Sequence, residues 1–510
     1  MEQYPVPPHP PIGVGDSVDL HNVQGDILLG GFPKKVQNFY FFTIDGSQVQ
    51  RFRANLSRIL PFVCSGDDLK QKRQQIEINK QKGNMGLVPM SLVNIAFSAH
   101  GLKKICDSLH ISPGFGDPVF DKGMLVDAPN LGDRVAEWNQ GFAQNNIDGV
   151  INIAGDNAGR IASELGIIKH MLEADKPNGP VHEAFTLAGH TRPGKEDGHE
   201  HFGFLDGVSQ PAVPGVDTPK PLQTVYDGVG RLLMKHNHDD QLNFQTGQIE
   251  TVQRPDWTRD GSIMCFRKLD QLVPEFHAFL RAFPVHIADP GAPPTLGSDL
   301  LGARMVGRWP SGMIDQTRGE QRMAVLTKMN ESTGAPLELT PFRDNTSLAG
   351  NNEFDFRDDA SRCPFSAHIR KTNPRNDTTV DNRNSTHAIT RRGIQFGDEV
   401  TPYEASSNRS DPGHVRGLLF VCYQSNLSNG FSFMQQRWAN NPAFKPLAPG
   451  VPGQVGFDPI IGQSLTGPTS ASVNLGNPTP PLILARWVIS RGGEYFFVPS
   501  MSTLRMFGSG

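Results

Sequence analysis

A single carboxylate, Asp206, lies in the glycine-rich stretch HEHFGFLDGVSQP at residues 199–211. A carboxylate can take up and release a proton, and glycines at positions 203 and 207 allow the backbone to bend tightly and approach a ligand. Its apolar neighbours, among them Phe204 and Leu205, indicate more than a solvated side chain. The GxxDG pattern is short, and an ordinary turn explains it about equally well.

A second unusual segment covers residues 362–397, and its first part, 362–392, carries seven Lys or Arg against two Asp. Within it, His368 follows the apolar run PFSA and precedes Ile369, Arg370 and Lys371. A neutral imidazole beside cations is what a haem requires, because the iron needs an axial nitrogen and the propionates need positive charge. Taken alone, the segment equally permits a solvated basic loop.

Length and composition exclude several classes of protein. A chain of 510 residues favours two domains, and a net charge of −4 argues against nucleic acid as a partner. No apolar run is long enough to span a membrane, and no signal peptide is visible at the first residues. The five cysteines are scattered singly, which argues against a disulfide framework or a zinc ribbon. Secreted and cytoplasmic locations both stay open.

Aromatic and β-branched runs predict strands at residues 38–44, 91–97, 261–266 and 417–423. Each run is followed by a helical pattern: one capped by Ser47, one near 101–105, one over 269–280 and one through 431–434. Irregular alternation of this kind favours an α+β fold. A domain boundary fits the proline-rich run 210–221, and residues 446–481 resemble a long wrapping loop.

Together these motifs resemble the fungal-type dye-decolorizing peroxidases over nearly the whole chain. The family's GxxDG motif corresponds to residues 203–207, and its proximal histidine, in AHIRKTNPR, corresponds to His368. Its distal arginine corresponds to Arg391 rather than Arg392, because the alignment continues through Gly393.

The resemblance implies two ferredoxin-like α+β domains with antiparallel sheets, a duplicated arrangement of the dimeric α+β barrel type. A tail would cover residues 1–20, an N-terminal domain with the GxxDG motif 21–222, and a C-terminal domain 223–510. The C-terminal half would hold haem b (iron protoporphyrin IX), with His368 as the axial ligand of the iron.

The resemblance also implies a reaction. Hydrogen peroxide would oxidise the haem to an oxyferryl and porphyrin-radical state, which then oxidises bulky dyes, phenolics and similar aromatic donors. Asp206 would move the peroxide proton, and Arg391 would stabilise the leaving oxygen and keep that carboxylate ionised. Because an Asp has a pKa of about 3.9 that a nearby Arg lowers, we expect an acidic optimum, roughly pH 3 to 5.

Further pocket residues follow from the same resemblance. Leu418 and Phe420 match apolar positions that narrow access to the iron, although any buried strand would carry such residues. Asp458 is the candidate acceptor for the second ring N–H of His368, with a turn-capping Asp as the alternative. Arg370 could pair with a propionate, and His387 is a weaker candidate for that role.

Bulky dyes cannot reach a buried haem, so residues that relay electrons matter. Trp438 matches a family position for long-range electron transfer. Phe396 departs from the family, in which related enzymes carry an oxidisable Tyr at this position; Tyr403 or Tyr423 could substitute for it.

Two other functions compete with the peroxidase. A haem carrier of related fold would keep His368 without needing Asp206 and Arg391 as a pair. A non-haem metalloenzyme would use His199 and His201, but no third ligand is evident. The acidic pairs at residues 239–240 and 358–359 could bind Mn(II), and solvated turns explain them equally well.

Overall fold

The computed structural model describes residues 16–84, 86–219, 223–242, 249–286, 294–310, 363–374, 377, 386–444, 455–473 and 482–509. The acidic pair at residues 358–359 lies outside this part of the chain. So do residues 446–454 and 474–481 of the predicted wrapping loop and residues 220–222 beside the predicted domain boundary. None of the described helices is long and apolar enough to cross a membrane.

The strands are β1 (Val36–Ile44), β2 (Ser91–Phe97), β3 (Gly149–Gly155), β4 (Val181–His190), β5 (Asp240–Leu242), β6 (Ile249–Thr251), β7 (Ser262–Gln271), β8 (Thr390–Arg391), β9 (Ile394–Phe396), β10 (Gly417–Gln424), β11 (Thr469–Ala471), β12 (Leu482–Leu484) and β13 (Val488–Val498). The helices are α1 (Val49–Ile59), α2 (Gly66–Gln81), α3 (Ala99–Leu109), α4 (Pro118–Asp127), α5 (Gln140–Ala143), α6 (Ala158–Met171), α7 (Val273–Ala282), α8 (Leu296–Val306), α9 (His368–Thr372), α10 (Pro402–Ser407), α11 (Phe431–Phe433) and α12 (Met501–Gly508). A π-helical turn, Met434–Ala439, continues α11.

The largest sheet in the described chain has nine strands in the order β4-β1-β3-β2-β13-β7-β10-β8, with β9 also paired to β10. The pairs within it are antiparallel. Strands of the N-terminal half lie on one side and strands of the C-terminal half on the other, and they meet at Phe97 and Phe497. This arrangement confirms the predicted α+β class with antiparallel sheets.

The predicted strands are present, but two helix predictions need correction. Strand β7 continues to Gln271, so α7 begins at Val273 rather than at Leu269. Cross-strand pairing with β10 and β13 extends β7 beyond the point that the local pattern indicated. Ser47 does not cap α1; it lies in a 3-10 turn capped by Asp45, and α1 follows directly.

The central strands of the sheet, such as β2 and β3, are buried on both faces, whereas the outer strand β4 is partly exposed. Helix α1 covers the N-terminal half with the apolar stripe Val49, Phe52, Leu56 and Ile59, as its three-to-four spacing predicts. On the C-terminal side, alternate residues of β7 and β10 face a cavity. Because side chains alternate along a strand, this face carries Leu418 and Phe420, whereas Leu419 and Val421 join the core.

Candidate active site

The motifs that are far apart in the sequence meet at one cavity. Asp206, Arg391 and His368 all line it, and so do Leu418 and Phe420. The volume of the cavity is about 250 Å³. Its wall is mainly apolar.

A tight loop positions Asp206. Gly203 and Gly207 have φ angles of 96° and 76°, which lie in the left-handed region that favours glycine. The backbone N–H of Asp206 donates to the carbonyl of Gly198 at 3.0 Å, and its Oδ1 accepts from the N–H of Gly207 at 2.6 Å. The loop therefore holds the carboxylate at the cavity wall.

Arg391 lies at the end of the short strand β8 and faces this carboxylate. Its Nη1 is 2.6 Å from Oδ1 of Asp206, and both side chains are about one-third exposed. Burial by itself would raise the pKa of Asp206, but the charge and hydrogen bond of Arg391 outweigh it, so that pKa is lowered. The carboxylate is thus ionised at mildly acidic pH and can accept a proton.

His368 begins helix α9, and its Nδ1 is 2.8 Å from Oδ2 of Asp458. Asp458 is buried, and its other oxygen accepts the backbone N–H groups of Ile460 and Ile461 at 2.8 and 3.0 Å. Burial lowers the pKa of His368, but the attraction to Asp458 outweighs it and the net shift is upward. None of the described residues hydrogen-bonds the second ring nitrogen, Nε2, so it is available to a ligand in the cavity.

Two apolar side chains of β10 lie on the cavity wall between these groups. Leu418 pairs with Leu269 in the sheet register, and Phe420 pairs with Arg267. All four residues line the cavity, so this part of the wall is largely apolar. Leu418 and Phe420 thus lie on the cavity wall, and their role in narrowing access to the iron stays a prediction.

Arg370 is not among the residues that line the cavity, so the structure lends no support to the prediction that it pairs with a propionate. Its guanidinium is fully buried, and Nη2 donates to Oδ1 of Asp377 at 2.9 Å. The guanidinium also donates to the carbonyl of Cys363 and lies 4.1 Å from the ring centroid of Phe365. Arg370 therefore links Cys363, which precedes α9, to Asp377, which follows it.

Arg308 also lines the cavity, although none of the predicted site motifs pointed to it. It follows α8 and Gly307, whose φ of 93° ends that helix. Burial, together with the nearby charge of Arg391, lowers its pKa to about 10, so it is a cation at neutral pH. A helix-ending glycine followed by Arg and Trp was the only signal for it in the sequence.

Trp438 lines the cavity but is only 4% exposed, so a bulky substrate cannot lie against it. Phe444 stacks on it with ring centroids 5.3 Å apart, and His387 meets it edge-on at 5.4 Å. His387 itself stacks on Phe433, and its Nδ1 donates to the carbonyl of Asn429. Burial lowers the pKa of His387 to about 4, so it is neutral and unsuited to pairing with a propionate.

The two alternative metal sites within the described residues, His199 with His201 and the acidic pair 239–240, receive no support from the contacts of their side chains. His201 donates through Nε2 to the carbonyl of Phe396 at 2.9 Å, which removes that nitrogen from metal binding. Among the described residues, no three His, Cys, Asp or Glu side chains come together as metal ligands. Asp239 and Asp240 pair with different arginines, Arg254 and Arg231.

Comparison with known proteins agrees with this geometry. Residues 22–193 match the family model of the DyP dimeric alpha+beta barrel domain, and residues 330–446 match that of the Dyp-type peroxidase C-terminal region. The dye-decolorizing peroxidase msp1 of Mycetinis scorodonius is 38% identical, over 96% of this chain and 87% of its own.

Solved structures show the same likeness. An ancestral D-type dye-decolorizing peroxidase is 40% identical with a TM-score of 0.82, covering 97% of this chain and all of that one. A dye-decolorizing peroxidase in complex with 2,6-dimethoxyphenol is 34% identical with a TM-score of 0.79, covering 97% of this chain and all of that one. This chain therefore belongs to the fungal-type dye-decolorizing peroxidases, haem enzymes that use hydrogen peroxide to oxidise dyes and other aromatic donors.

Proposed function

We propose that this chain binds haem b through His368 and activates hydrogen peroxide with Asp206 and Arg391. The observation that carries the proposal is the position of two hydrogen-bonded pairs on one cavity: Arg391 with Asp206, and Asp458 with His368. A haem carrier would require only the second pair.

The residues present fit a haem. A single neutral nitrogen ligand with its other ring nitrogen bound to a carboxylate is the arrangement that holds a histidine rigid and basic toward iron. The apolar wall at Leu418 and Phe420 suits a porphyrin ring. In the part of the chain that the structure describes, three arginines line the cavity, and two of them pair with carboxylates, Arg267 with Asp133 and Arg391 with Asp206. We assign the third, Arg308, to a propionate in place of Arg370.

When bound, the haem supplies an iron that binds peroxide and the two electrons that reduce it. Asp206 takes the proton from one peroxide oxygen and returns it to the other, so that the departing oxygen leaves as water. Its lowered pKa keeps it in the accepting form at acid pH. Arg391 stabilises the negative charge that develops on the departing oxygen and holds the Asp206 carboxylate in place.

Aromatic donors then return the two electrons. The complex of a related enzyme with 2,6-dimethoxyphenol supports phenols as one class of donor. For donors too large to enter the cavity, we propose Trp438 as the first residue of a relay, because its oxidisable indole lines the cavity. We also propose a domain boundary near residue 222, between the loop of Asp206 and the haem-binding half.

Absorption spectroscopy tests the proposal directly. We expect the purified protein to show a Soret band, which shifts on mixing with one equivalent of hydrogen peroxide at about pH 4 and recovers when a dye is added. A Soret band that peroxide leaves unchanged would favour a haem carrier and remove Asp206 and Arg391 from their roles. The absence of a Soret band after haem supplementation would contradict the assignment of His368.

A further inference from the structure

The short strand β8 has two edges, and among the described residues only one of them pairs with another strand. Toward β10, Arg391 lies in register with Cys422. On the other edge, Oε1 of Gln210 accepts the backbone N–H of Arg391 at 3.0 Å, and its Nε2 donates to the backbone carbonyl of the same residue at 3.2 Å. The carboxamide thus makes the pair of hydrogen bonds that a neighbouring strand residue would make.

The segment that supplies Gln210 also holds the other end of Arg391. Four residues earlier, the Asp206 carboxylate accepts Nη1 at 2.6 Å, and the carbonyl of Ser209 accepts Nη2 at 3.2 Å. Main chain and guanidinium are therefore both bound to one five-residue segment, 206–210. Because both contacts come from the same short segment, the distance between the carboxylate and the guanidinium depends on Gln210.

The residue after Arg391 is held by the sheet, because the N–H of Arg392 donates to the carbonyl of Val421 at 2.7 Å, but Gln210 binds both main-chain groups of Arg391 itself. Strand β8 has only two residues, so its ladder with β10 is short. The carbonyl of Arg391 also accepts from Nη1 of Arg392 at 2.9 Å, which fixes one main-chain atom, whereas the N–H of Arg391 is bound by Gln210. Gln210 is itself anchored, because Nε2 of Gln223 donates to its carbonyl at 2.7 Å.

We propose that Gln210 is a positioning residue for peroxide activation, which fixes the main chain of Arg391 so that its guanidinium meets the Asp206 carboxylate at the cavity wall. The inference rests on the proposed function and adds a residue that touches neither peroxide nor haem. It acts on the step that uses Arg391 and leaves the later electron transfer from donors unchanged.

The variant Gln210→Met tests the proposal, since methionine keeps the length of the side chain and removes both hydrogen bonds. We expect kcat/KM for hydrogen peroxide to fall about tenfold to a hundredfold, because a small displacement of a catalytic group has an effect of that size. At saturating peroxide, kcat/KM for a dye should stay within about twofold of the wild type if donor oxidation is separate from peroxide activation.

Cyanide provides a readout that is independent of turnover. Hydrogen cyanide must lose its proton to bind ferric haem as the anion, so its binding depends on the same pair, Asp206 and Arg391. We expect cyanide to bind more slowly and more weakly to Gln210→Met than to the wild type. The shift of the Soret band on cyanide binding measures both the rate and the affinity. The Soret band of the resting protein should be unchanged, because His368 is not disturbed.

The chain offers a closely matched control in Gln24. Its Oε1 accepts the N–H of Ile95 at 2.9 Å, and its Nε2 donates to the carbonyl of Ile95 at 2.9 Å, the same pair of bonds on strand β2. Gln24 is fully buried and is not among the described residues that line the cavity. Gln24→Met should lower the melting temperature at least as much as Gln210→Met, with the peroxide and cyanide constants unchanged.

Three outcomes would overturn the inference: peroxide and cyanide constants of Gln210→Met within twofold of the wild type, equal losses in the peroxide and dye constants, or the same kinetic change in Gln24→Met.

If Gln210→Met fails to take up haem, Gln210→Glu serves instead. It keeps the acceptor for the N–H and loses the donor to the carbonyl, so we expect at least a threefold fall for peroxide; no fall would contradict the proposal. An inactive wild type with peroxide would contradict the proposed function itself.

Discussion

Nδ1 of His368 and Oδ2 of Asp458 lie 2.8 Å apart, although ninety residues separate them in the sequence. The carboxylate is fully buried, and two backbone N–H groups hold its other oxygen. These bonds fix the carboxylate so that Oδ2 faces the imidazole. This contact determines both the orientation of the ring and the electron density that it can offer to a metal.

Asp458→Asn should reduce the electron density that the imidazole of His368 offers to the iron, while the histidine itself remains. We expect a higher reduction potential of the haem iron and a haem affinity lower by about 10- to 100-fold, since second partners of metal-binding histidines have effects of that size. Spectroelectrochemistry and haem titration of the apoprotein measure the two quantities. An unchanged potential would show that Asp458 serves the turn of residues 458–461 and not the ligand.

Asp206→Asn and Arg391→Leu should each reduce the rate of reaction with peroxide by about a hundredfold or more while the haem stays bound, because each removes one half of the proton-transfer pair. Stopped-flow mixing of the ferric protein with peroxide measures this rate. The Soret band of the resting variants is the control for haem content. Wild-type rates in either variant would remove that residue from the mechanism.

The pH dependence of the peroxide reaction should report the ionisation of Asp206. Burial raises the pKa of this carboxyl, Arg391 lowers it by more, and the net shift is downward. The accepting, ionised form exists above the lowered pKa and is lost only as the pH falls through it, so the reaction should persist into acid solution. In Arg391→Leu the residual rate should fall at a higher pH than in the wild type; an unshifted acid limb would contradict this interpretation.

Trp438→Phe should separate large donors from small ones. Trp438 is buried in the cavity wall, and in the proposed relay a bulky dye that cannot enter the cavity depends on its oxidisable ring. Replacing that ring should therefore lower kcat for the dye severalfold. The kcat for a small phenol, which enters the cavity, should stay within about twofold of the wild type. Phe keeps most of the packing against Phe444. Equal losses for both donors would indicate a packing role for Trp438.

Arg370→Met should destabilise the protein rather than release a propionate. It leaves the Asp377 carboxylate buried without this partner, and breaking a buried ion pair in this way costs about 3–5 kcal/mol. Denaturant unfolding of the apoprotein measures the loss, and replacing Asp377 by Asn in the same variant should recover part of it. A stable apoprotein with weak haem binding would instead support the original propionate assignment.

The sequence by itself pointed to the residues that we propose carry the chemistry. Asp206, His368 and Arg391 lie in short motifs with unusual local composition, and the order of those motifs along the chain pointed to the family. The strands at 38–44 and 417–423 were predictable as well, because β-branched and aromatic runs favour strands wherever they pack.

Only the tertiary structure decided which partner each polar group meets. The sequence singled out Arg370 for a propionate and not Arg308, whereas in the structure Arg370 bonds to Asp377 and Arg308 lines the cavity. Likewise, the bonds from Gln210 to Arg391 join residues 181 positions apart. Local composition determines what a residue can do, whereas contacts between distant segments depend on how the whole sheet packs, and no local pattern contains that information.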